Sequence, residues 1–309
     1  MPDRRILVIK LGALGNVILS LAAFAAIRQH HPDAEITVLT TSPYADWLAG
    51  SPYFDKVLLD QRPAWWDLAG MLRLRRTLAA GRFARVYDLQ TSGRSSRYLS
   101  LFPRSARPEW SGIAPGCSHP DRDPNRATMH DQARQHGQLR QAGIADIPPP
   151  DLSWCRGDIG RFNLPAAFAM LIPGSSPHRP VKRWPAAHYS ALARALAERG
   201  ITSVVVGSAA ERDMAAEIRP AINLAGQTSF GDLADLARAA RFAVGNDTGP
   251  SHLVATAGCP TVVLFSHESD PALCAPVGPS VTVLRRPNLA DLPVDDVLAA
   301  LKLPAETHV

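Results

Sequence analysis

Short apolar runs alternate along most of the chain with stretches whose apolar residues recur at helical spacing. In the first half, this pattern predicts strands at Arg5–Lys10, Glu35–Leu39, Lys56–Leu59 and Arg85–Leu89, with helices at 16–30 and 67–80. Strands that alternate with helices indicate βαβ units and a mostly parallel sheet.

The alternation weakens between residues 103 and 150, where prolines are frequent and one helix is predicted at 129–142. Pro148-Pro149-Pro150 indicates a stiff linker. Beyond it we predict strands at 168–172, 202–206, 242–244, 261–265 and 281–284, and helices at 186–199, 211–218, 230–238, 250–257 and 294–301. The chain is therefore expected to be an α/β protein of two Rossmann-like halves, residues 1–150 and 151–309.

Composition is that of a globular enzyme, with 46% hydrophobic and 20% charged residues. The longest apolar runs are too short for a membrane span, and the N-terminus lacks a signal peptide's apolar region. A cytoplasmic protein is expected. Four cysteines without CxxC spacing suggest neither a zinc site nor a disulfide framework, and Cys259 is expected in the core.

The net charge of +5 is carried almost wholly by arginine. We find no basic amphipathic run and no basic patch interleaved with aromatic residues, so nucleic-acid binding is not expected. A moderate positive field suits anionic small substrates or loose association with an acidic membrane surface. Codon bias toward arginine would explain the same composition.

The turn between the predicted strand 242–244 and the helix 250–257 concentrates small and polar residues, including Asp247, Thr248, Gly249 and His252. Such a turn binds anions, because free backbone N–H groups and the positive end of the helix dipole meet there. Asp247 and Thr248 can also bond hydroxyl groups. His252 lies one turn into the helix and can face the same ligand, although a lone helical histidine is more often structural.

Two other turns in the second half carry candidate ligand groups. Ser175 and Ser176 follow a strand and precede Lys182. Together these three residues would bind a diphosphate, the serines through hydrogen bonds and the lysine through its charge. The alternative is an ordinary surface helix start with Pro185 at its first position. Glu211, after a strand-end glycine, would hold a ribose or a base edge, or would simply be an acid in the first turn of a helix.

In the first half, the turn after the first strand contains Gly12, Gly15 and Asn16. The glycines permit close approach of a ligand. Their spacing is not GxGxxG, and no acid ends the second strand, which argues against a dinucleotide site. Asn16 alternatively caps the helix.

Taken together, these motifs resemble glycosyltransferase family 9, the ADP-heptose:lipopolysaccharide heptosyltransferases and their relatives, nearly end to end. The resemblance rests on Lys10-Leu-Gly-Ala-Leu-Gly-Asn-Val17, Tyr87-Asp-Leu-Gln90 followed by Arg94, Ile172-Pro-Gly-Ser175, Lys182-Arg-Trp-Pro185, Val206-Gly207 with Glu211, and Gly245-Asn-Asp-Thr-Gly-Pro-Ser-His252. It implies a GT-B fold, in which two Rossmann-like domains face a central cleft. The N-terminal half would bind the acceptor and the C-terminal half the nucleotide-sugar.

The resemblance also implies an inverting transferase that needs no metal and no cofactor besides its nucleotide-sugar substrate, which we expect to be ADP-heptose. The expected partner is a saccharide or glycolipid acceptor such as a lipopolysaccharide core, at the inner face of the cytoplasmic membrane. The oligomeric state is left open. The implied donor-site residues are Gly12, Gly15, Ser175, Ser176, Lys182, Glu211, Thr228, Asp247, Thr248, Gly249 and His252. Arg94 and Arg97 would contact an anionic acceptor, or would belong to a solvated basic face.

Asn16 occupies a position where the family typically carries an aspartate similar in place to a general base. An amide cannot accept the acceptor's proton. Another base is then required, with Asp88, His119, His130 and Asp131 as candidates, or the enzyme is slow. A sugar-nucleotide-binding protein with little transfer is the main alternative. A sugar-nucleotide epimerase is a third, for which the catalytic acids are missing. Since the donor motif is intact, we expect an active transferase, with Lys182 and Asp88 as its other catalytic candidates.

Overall fold

The computed structural model describes residues 5–175 and 180–302. The chain divides into two compact units, the first ending at Trp154 and the second beginning at Cys155. Within the described ranges, no helix combines the length and the apolar character needed to cross a membrane.

The first unit is built on a six-stranded parallel sheet in the order β3-β2-β1-β4-β5-β6. Ile9, at the end of the central strand β1, is paired with Leu39 on one side and with Asp88 on the other. The elements of this unit are β1 (Arg5–Ile9), α1 (Leu14–Ile18), α2 (Leu21–His30), β2 (Glu35–Thr40), α3 (Ser42–Ala49), β3 (Lys56–Leu59), α4 (Leu68–Ala80), β4 (Arg85–Asp88), α5 (Gly93–Arg97), β5 (Glu109–Gly112), β6 (His119–Pro120) and α6 (Asp131–Gln141).

The second unit repeats this architecture, with a six-stranded parallel sheet in the order β12-β11-β10-β7-β8-β9. The two central strands, β7 and β10, are fully buried. The elements are β7 (Phe168–Ile172), α7 (Ala186–Ala197), β8 (Thr202–Val205), α8 (Arg212–Ala216), β9 (Ile222–Asn223), α9 (Phe230–Ala239), β10 (Ala243–Asn246), α10 (Gly249–Thr256), β11 (Thr261–Phe265), α11 (Pro271–Cys274), β12 (Val281–Arg285) and α12 (Val294–Ala300).

Counted from the start of its own unit, each sheet has the doubly wound strand order 3-2-1-4-5-6. The prediction of an α/β protein with two Rossmann-like halves is therefore confirmed. In such sheets the strand order reverses between strands 1 and 4, and the carboxyl ends of those strands leave a crevice where ligands bind. The switch points are β1/β4 in the first unit and β7/β10 in the second.

The helix predicted at 16–30 is wrong as one element, because it is broken into α1 and α2. The Ser20 hydroxyl donates to the Asn16 carbonyl at 2.8 Å, and the Ser20 amide bonds to Val17 instead. A side-chain bond of this kind competes with the helical ladder. Apolar spacing alone does not reveal such a break.

The region between 103 and 150 contains two strands that the sequence did not predict, β5 and β6, which extend the first sheet at one edge. Residues 151–154 also belong to the first unit. The Tyr53 hydroxyl donates to the Asp151 carbonyl at 3.0 Å, and the Trp154 ring lies 5.4 Å from that of Trp47. The unit therefore ends four residues beyond the expected boundary at 150, and this hydrogen bond and ring contact hold the segment after Pro150.

Candidate functional site

A cavity of about 360 Å³ opens at the carboxyl edge of the second sheet. It is lined by residues of the loops that follow β7, β8 and β10 and by Arg183: Ile172, Gly174, Ser175, Arg183, Gly207, Ser208, Ala210, Glu211, Thr248 and Pro250. We call it the β7/β10 cavity. Its place at the switch point is the usual ligand position in a doubly wound sheet.

Asn246, the last residue of β10, fixes the walls of this cavity. Its side chain is completely buried. The side-chain oxygen Oδ1 accepts hydrogen bonds from the Trp184 backbone amide at 3.1 Å and the Tyr189 hydroxyl at 3.2 Å. The side-chain nitrogen Nδ2 donates to the Pro173 carbonyl at 2.7 Å. One side chain thus joins the ends of two strands to the start of α7. Asn246 belongs to the motif Gly245–His252, but no role was predicted for it from the sequence.

Lys182 and Asp247 form a largely buried ion pair. Their closest nitrogen and oxygen atoms are 2.5 Å apart, and the Lys182 side chain is 12% exposed. The Ser269 hydroxyl donates to the same carboxylate oxygen at 2.6 Å, and His252 Nε2 lies 3.9 Å from the other oxygen. Such a pair fixes the geometry of both side chains, and removal of one partner is destabilising because it leaves the other charge buried and unpaired.

These partners decide the charge of Asp247. Burial raises the pKa of the carboxyl, but its interactions with His252, Lys182 and Ser269 outweigh burial and bring the pKa to about 2. Asp247 is therefore ionised at neutral pH. The alternative of a helix start at Lys182-Arg-Trp-Pro185 agrees with the structure in that α7 follows directly, with Pro185 at the N-cap. The segment is not ordinary surface, because Trp184 is fully buried and its indole N–H donates to the Leu292 carbonyl at 3.0 Å.

Arg183 is a cavity residue that the sequence analysis missed. Its guanidinium donates to the Ser175 hydroxyl at 3.1 Å and to the Ser175 carbonyl at 3.4 Å. Arg183 lines the β7/β10 cavity, whereas Lys182 is not among the described residues that line it. The sequence feature that could have identified it is the arginine next to Lys182, because a guanidinium can bind two phosphate oxygens at once.

Glu211 lies on the cavity wall and also begins a helical turn. Its carboxylate accepts hydrogen bonds from the Ser208 amide at 2.7 Å and the Ser208 hydroxyl at 2.9 Å. A Cβ atom added at Gly174 would collide with this carboxylate, and one at Gly207 would lie 2.9 Å from it. The alternative of an acid in the first turn of a helix is therefore confirmed, and the contact with a ribose or a base stays a prediction. The two glycines leave the space that the Glu211 side chain occupies.

The start of α10 supplies the remaining polar groups. Thr248 is the N-cap residue and Gly249 the first helical residue, and within the described part of the chain no bond from the Thr248 side chain caps the helix. His252 is buried, and its Nδ1 has no hydrogen-bond partner among the described residues. The helix N-terminus and the Thr248 hydroxyl are thus available to an anion in the cavity.

Two further predicted donor-site residues have no place assigned by these contacts. Ser176 lies outside the described residues. Thr228 lies in the loop before α9, next to the capping residue Ser229, and does not occur among the described residues that line the cavity.

At the switch point of the first unit, Lys10 and Asp88 are buried side by side. The Lys10 ammonium donates to the Leu89 carbonyl at 3.1 Å and lies 3.8 Å from Asp131. Burial lowers the pKa of Lys10, while the charges of Asp131 and Asp88 oppose that shift.

Asp88 accepts a hydrogen bond from the Thr91 amide at 3.0 Å and has no exposed surface. Burial raises the pKa of Asp88 to about 6, although hydrogen bonds from Thr91 and Ser95 lower it. The enclosed carboxyl holds the loop after β4 through its Oδ1, and its Oδ2 has no hydrogen-bond partner among the described residues.

Asn16 lies inside α1 with its side chain exposed. The alternative that it caps this helix is wrong, because Ala13 occupies the N-cap position. Gly15 is buried in the same helix. Gly12 has a φ of +112°, and a Cβ atom there would lie 2.6 Å from the Tyr44 ring. Gly12 and Gly15 therefore lie in the first unit, whereas the other predicted donor residues lie in the second.

The other candidate bases have local partners. His119 Nδ1 is 2.9 Å from the Ser118 hydroxyl, and His130 Nδ1 accepts from the Gln132 amide at 3.3 Å. Asp131 pairs with Arg134 at 2.7 Å. None of these contacts identifies one of the three residues as the general base.

Arg94 and Arg97 project from α5 and stack on one indole ring. Their guanidinium carbons lie 5.3 and 5.1 Å from the Trp65 ring centroid. Arg94 also donates to the Pro63 carbonyl at 3.1 Å.

No group of three or more histidine, cysteine or acidic side chains suited to a metal ion occurs in the portion of the chain that the structure describes.

Comparisons with known proteins agree with this architecture. Residues 121–298 match the model of glycosyltransferase family 9 (heptosyltransferase). The chain is 27% identical over 312 residues to lipooligosaccharide heptosyltransferase 2 of Haemophilus ducreyi, covering 90% of this chain and 85% of that protein.

Two solved structures show the same fold. A family 9 glycosyltransferase of Veillonella parvula superposes with a TM-score of 0.81 at 21% identity, over 96% of each chain. The heptosyltransferase WaaC of Escherichia coli, solved with ADP, superposes with a TM-score of 0.73 at 23% identity, over 96% of this chain and 98% of that one. The predicted GT-B class is confirmed.

Proposed function

The chain belongs to glycosyltransferase family 9 and is a glycosyltransferase of the heptosyltransferase type, and from this we propose that it transfers heptose from ADP-heptose to a lipopolysaccharide core or a related saccharide. The proposed reaction proceeds with inversion at the anomeric carbon and without a metal ion. We propose a cytoplasmic enzyme whose second unit binds the donor and whose first unit binds the acceptor.

The observation that carries this proposal is the β7/β10 cavity. Arg183, the Ser175 hydroxyl and the N-terminus of α10 with Thr248 surround one space at a switch point. A guanidinium, hydroxyls and backbone N–H groups are the donors that bind phosphate oxygens. In the proposed reaction they stabilise the negative charge that develops on the departing ADP, which is the step a metal ion would otherwise assist.

We assign complementary roles to the acidic residues of the second unit. Glu211 is ready to accept hydrogen bonds from ribose hydroxyls, because its second carboxylate oxygen is not held by Ser208. Asp247, ionised and fixed by Lys182, would accept hydrogen bonds from the sugar hydroxyls. Lys182 then acts through its pairing with Asp247 and supplies positive charge near the diphosphate.

Asn16 limits the rate in this proposal. Its amide oxygen can accept a hydrogen bond from the acceptor hydroxyl but cannot remove the proton. Asp88 is completely buried in this structure, and we do not assign it that role. We expect slow transfer, with the deprotonation of the acceptor as the weak step.

The test is ADP release from ADP-heptose with a heptose-deficient lipopolysaccharide acceptor, measured for the wild type and for Asn16→Asp. We expect slow ADP release by the wild type and release at least about 10²-fold faster by the variant, because that is the size of a general-base contribution. Addition of EDTA should leave both rates unchanged. A wild type and variant that bind ADP-heptose but release no ADP with any acceptor would favour the alternative, a sugar-nucleotide-binding protein.

A further inference from the structure

The turn before α4 and the first half of that helix expose large apolar side chains. Trp66 is 84% exposed, Leu68 79% and Leu72 43%. Leu59, 50% exposed, lies apart from them on a groove of about 250 Å³ along the side of α4 that carries Gly70 and Leu74. Neighbouring apolar groups exposed to this extent mark an interaction surface rather than ordinary surface variation.

This segment is held in place and is not a loose loop. The Asp67 carboxylate caps α4 by accepting from the Gly70 amide at 2.9 Å. Two residues before Asp67, the Trp65 ring lies 6.5 Å from the Tyr98 ring. The guanidinium groups of Arg94 and Arg97 stack on the same indole. With Trp65 anchored and the helix capped, Trp66 is directed to solvent.

Arginines border the apolar residues on the same helix face. Gly70, Leu74 and Leu78 form the buried side of α4. At helical spacing the opposite side carries Leu68 and Leu72, followed by Arg75 and Arg76, all of them exposed. The expectation that the chain contains no basic amphipathic run is therefore wrong at α4, where the sequence from 68 to 80 has three arginines and no acid.

We propose that this surface, which we call the α4 surface (Trp66, Leu68, Leu72, Arg75 and Arg76), binds an anionic phospholipid bilayer. Tryptophan and leucine side chains enter the region between headgroups and acyl chains, while arginines one or two turns away contact lipid phosphates. Binding to a second copy of the chain is disfavoured, because it would bring like charges together. The inference does not depend on the proposed transfer reaction.

The test uses the full chain and sedimentation with vesicles of phosphatidylcholine alone or mixed with phosphatidylglycerol. Binding is expected only to the mixed vesicles. Arg75→Gln/Arg76→Gln should weaken it roughly twenty-fivefold, on the order of fivefold for each arginine. The matched control is Arg194→Gln/Arg199→Gln, which removes the same charge from exposed positions of the second unit and should change affinity less than about twofold.

The insertion of Trp66 is tested separately by fluorescence. The wild type should show a blue shift of tryptophan emission on mixed vesicles. Trp66→Phe should bind nearly as well without that shift, and Trp66→Ser/Leu68→Ser should lose binding at least tenfold. These positions are exposed, so circular dichroism should show unchanged folding.

Equal losses in the two arginine pairs would mean unspecific charge attraction and would overturn the proposal. So would an unchanged affinity of Trp66→Ser/Leu68→Ser, or a self-association in solution that these two substitutions abolish.

Discussion

Replacing Asp247 by asparagine should destabilise the second unit in a way that depends on pH. The substitution keeps the shape but removes the charge that holds Lys182 at 2.5 Å. The difference between the usual pKa of 3.8 and the value of about 2 corresponds to roughly 2 kcal/mol of stability at neutral pH. Because the pKa is lower in the folded state, this stability is present above about pH 4 and is lost as the pH falls toward about 2.

The assay is urea unfolding of the wild type and Asp247→Asn at about pH 7, 5 and 3. The variant should be less stable by about 2 kcal/mol at the two higher values, and the gap should narrow at the lowest. Asp213→Asn, an exposed acid of the same unit, is the matched control and should change stability little at any of them. A gap that stays constant down to acid pH, or one no larger than in Asp213→Asn, would refute the role given to the ion pair.

Other consequences follow for the cavity and its neighbours. Arg183→Ala should weaken ADP binding by about tenfold in calorimetry, since a hydrogen bond to a charged group is lost, while Arg183→Lys should recover only part of the affinity. Gly174→Ala should displace Glu211, lower the melting temperature by the equivalent of about 1–3 kcal/mol and weaken ADP binding, whereas Gly93→Ala, with open space around it, should do neither. Unchanged ADP affinity in both cavity variants would remove these residues from the donor site. Asn246→Ala should destabilise by several kcal/mol, roughly 1–3 for each buried partner left unpaired, as measured by chemical unfolding.

The fold could be predicted from the sequence because its signal is local. Parallel strands between helices produce alternating apolar runs of recognisable length, so even the bounds of β3, β7 and β11 agree with the prediction. The break between α1 and α2 depends on one serine hydroxyl, and the short strands β6 and β9 exist only because longer neighbours pair with them. The break is a local side-chain bond and the short strands depend on tertiary pairing, and neither leaves a periodic pattern in the sequence.

For the candidate site, the sequence identified which turns carry ligand groups but not which side chains line a cavity. Asp247 and Thr248 were singled out because their chemistry is evident from residue type. Whether Lys182 or its neighbour Arg183 lines the cavity depends on the direction of each side chain, which Asn246 and Asp247 determine through long-range bonds. The exposure of Trp66 was equally hidden, since an apolar residue beside a helix is ordinarily expected in the core.

The most direct test of the account is the affinity of the wild-type protein for ADP compared with AMP, measured by calorimetry. If the groups around the β7/β10 cavity bind a diphosphate, ADP should bind at least about tenfold more tightly than AMP, because the second phosphate adds charge-assisted hydrogen bonds. Equal affinities, or no binding of either nucleotide, would contradict the assignment of this cavity as the donor site.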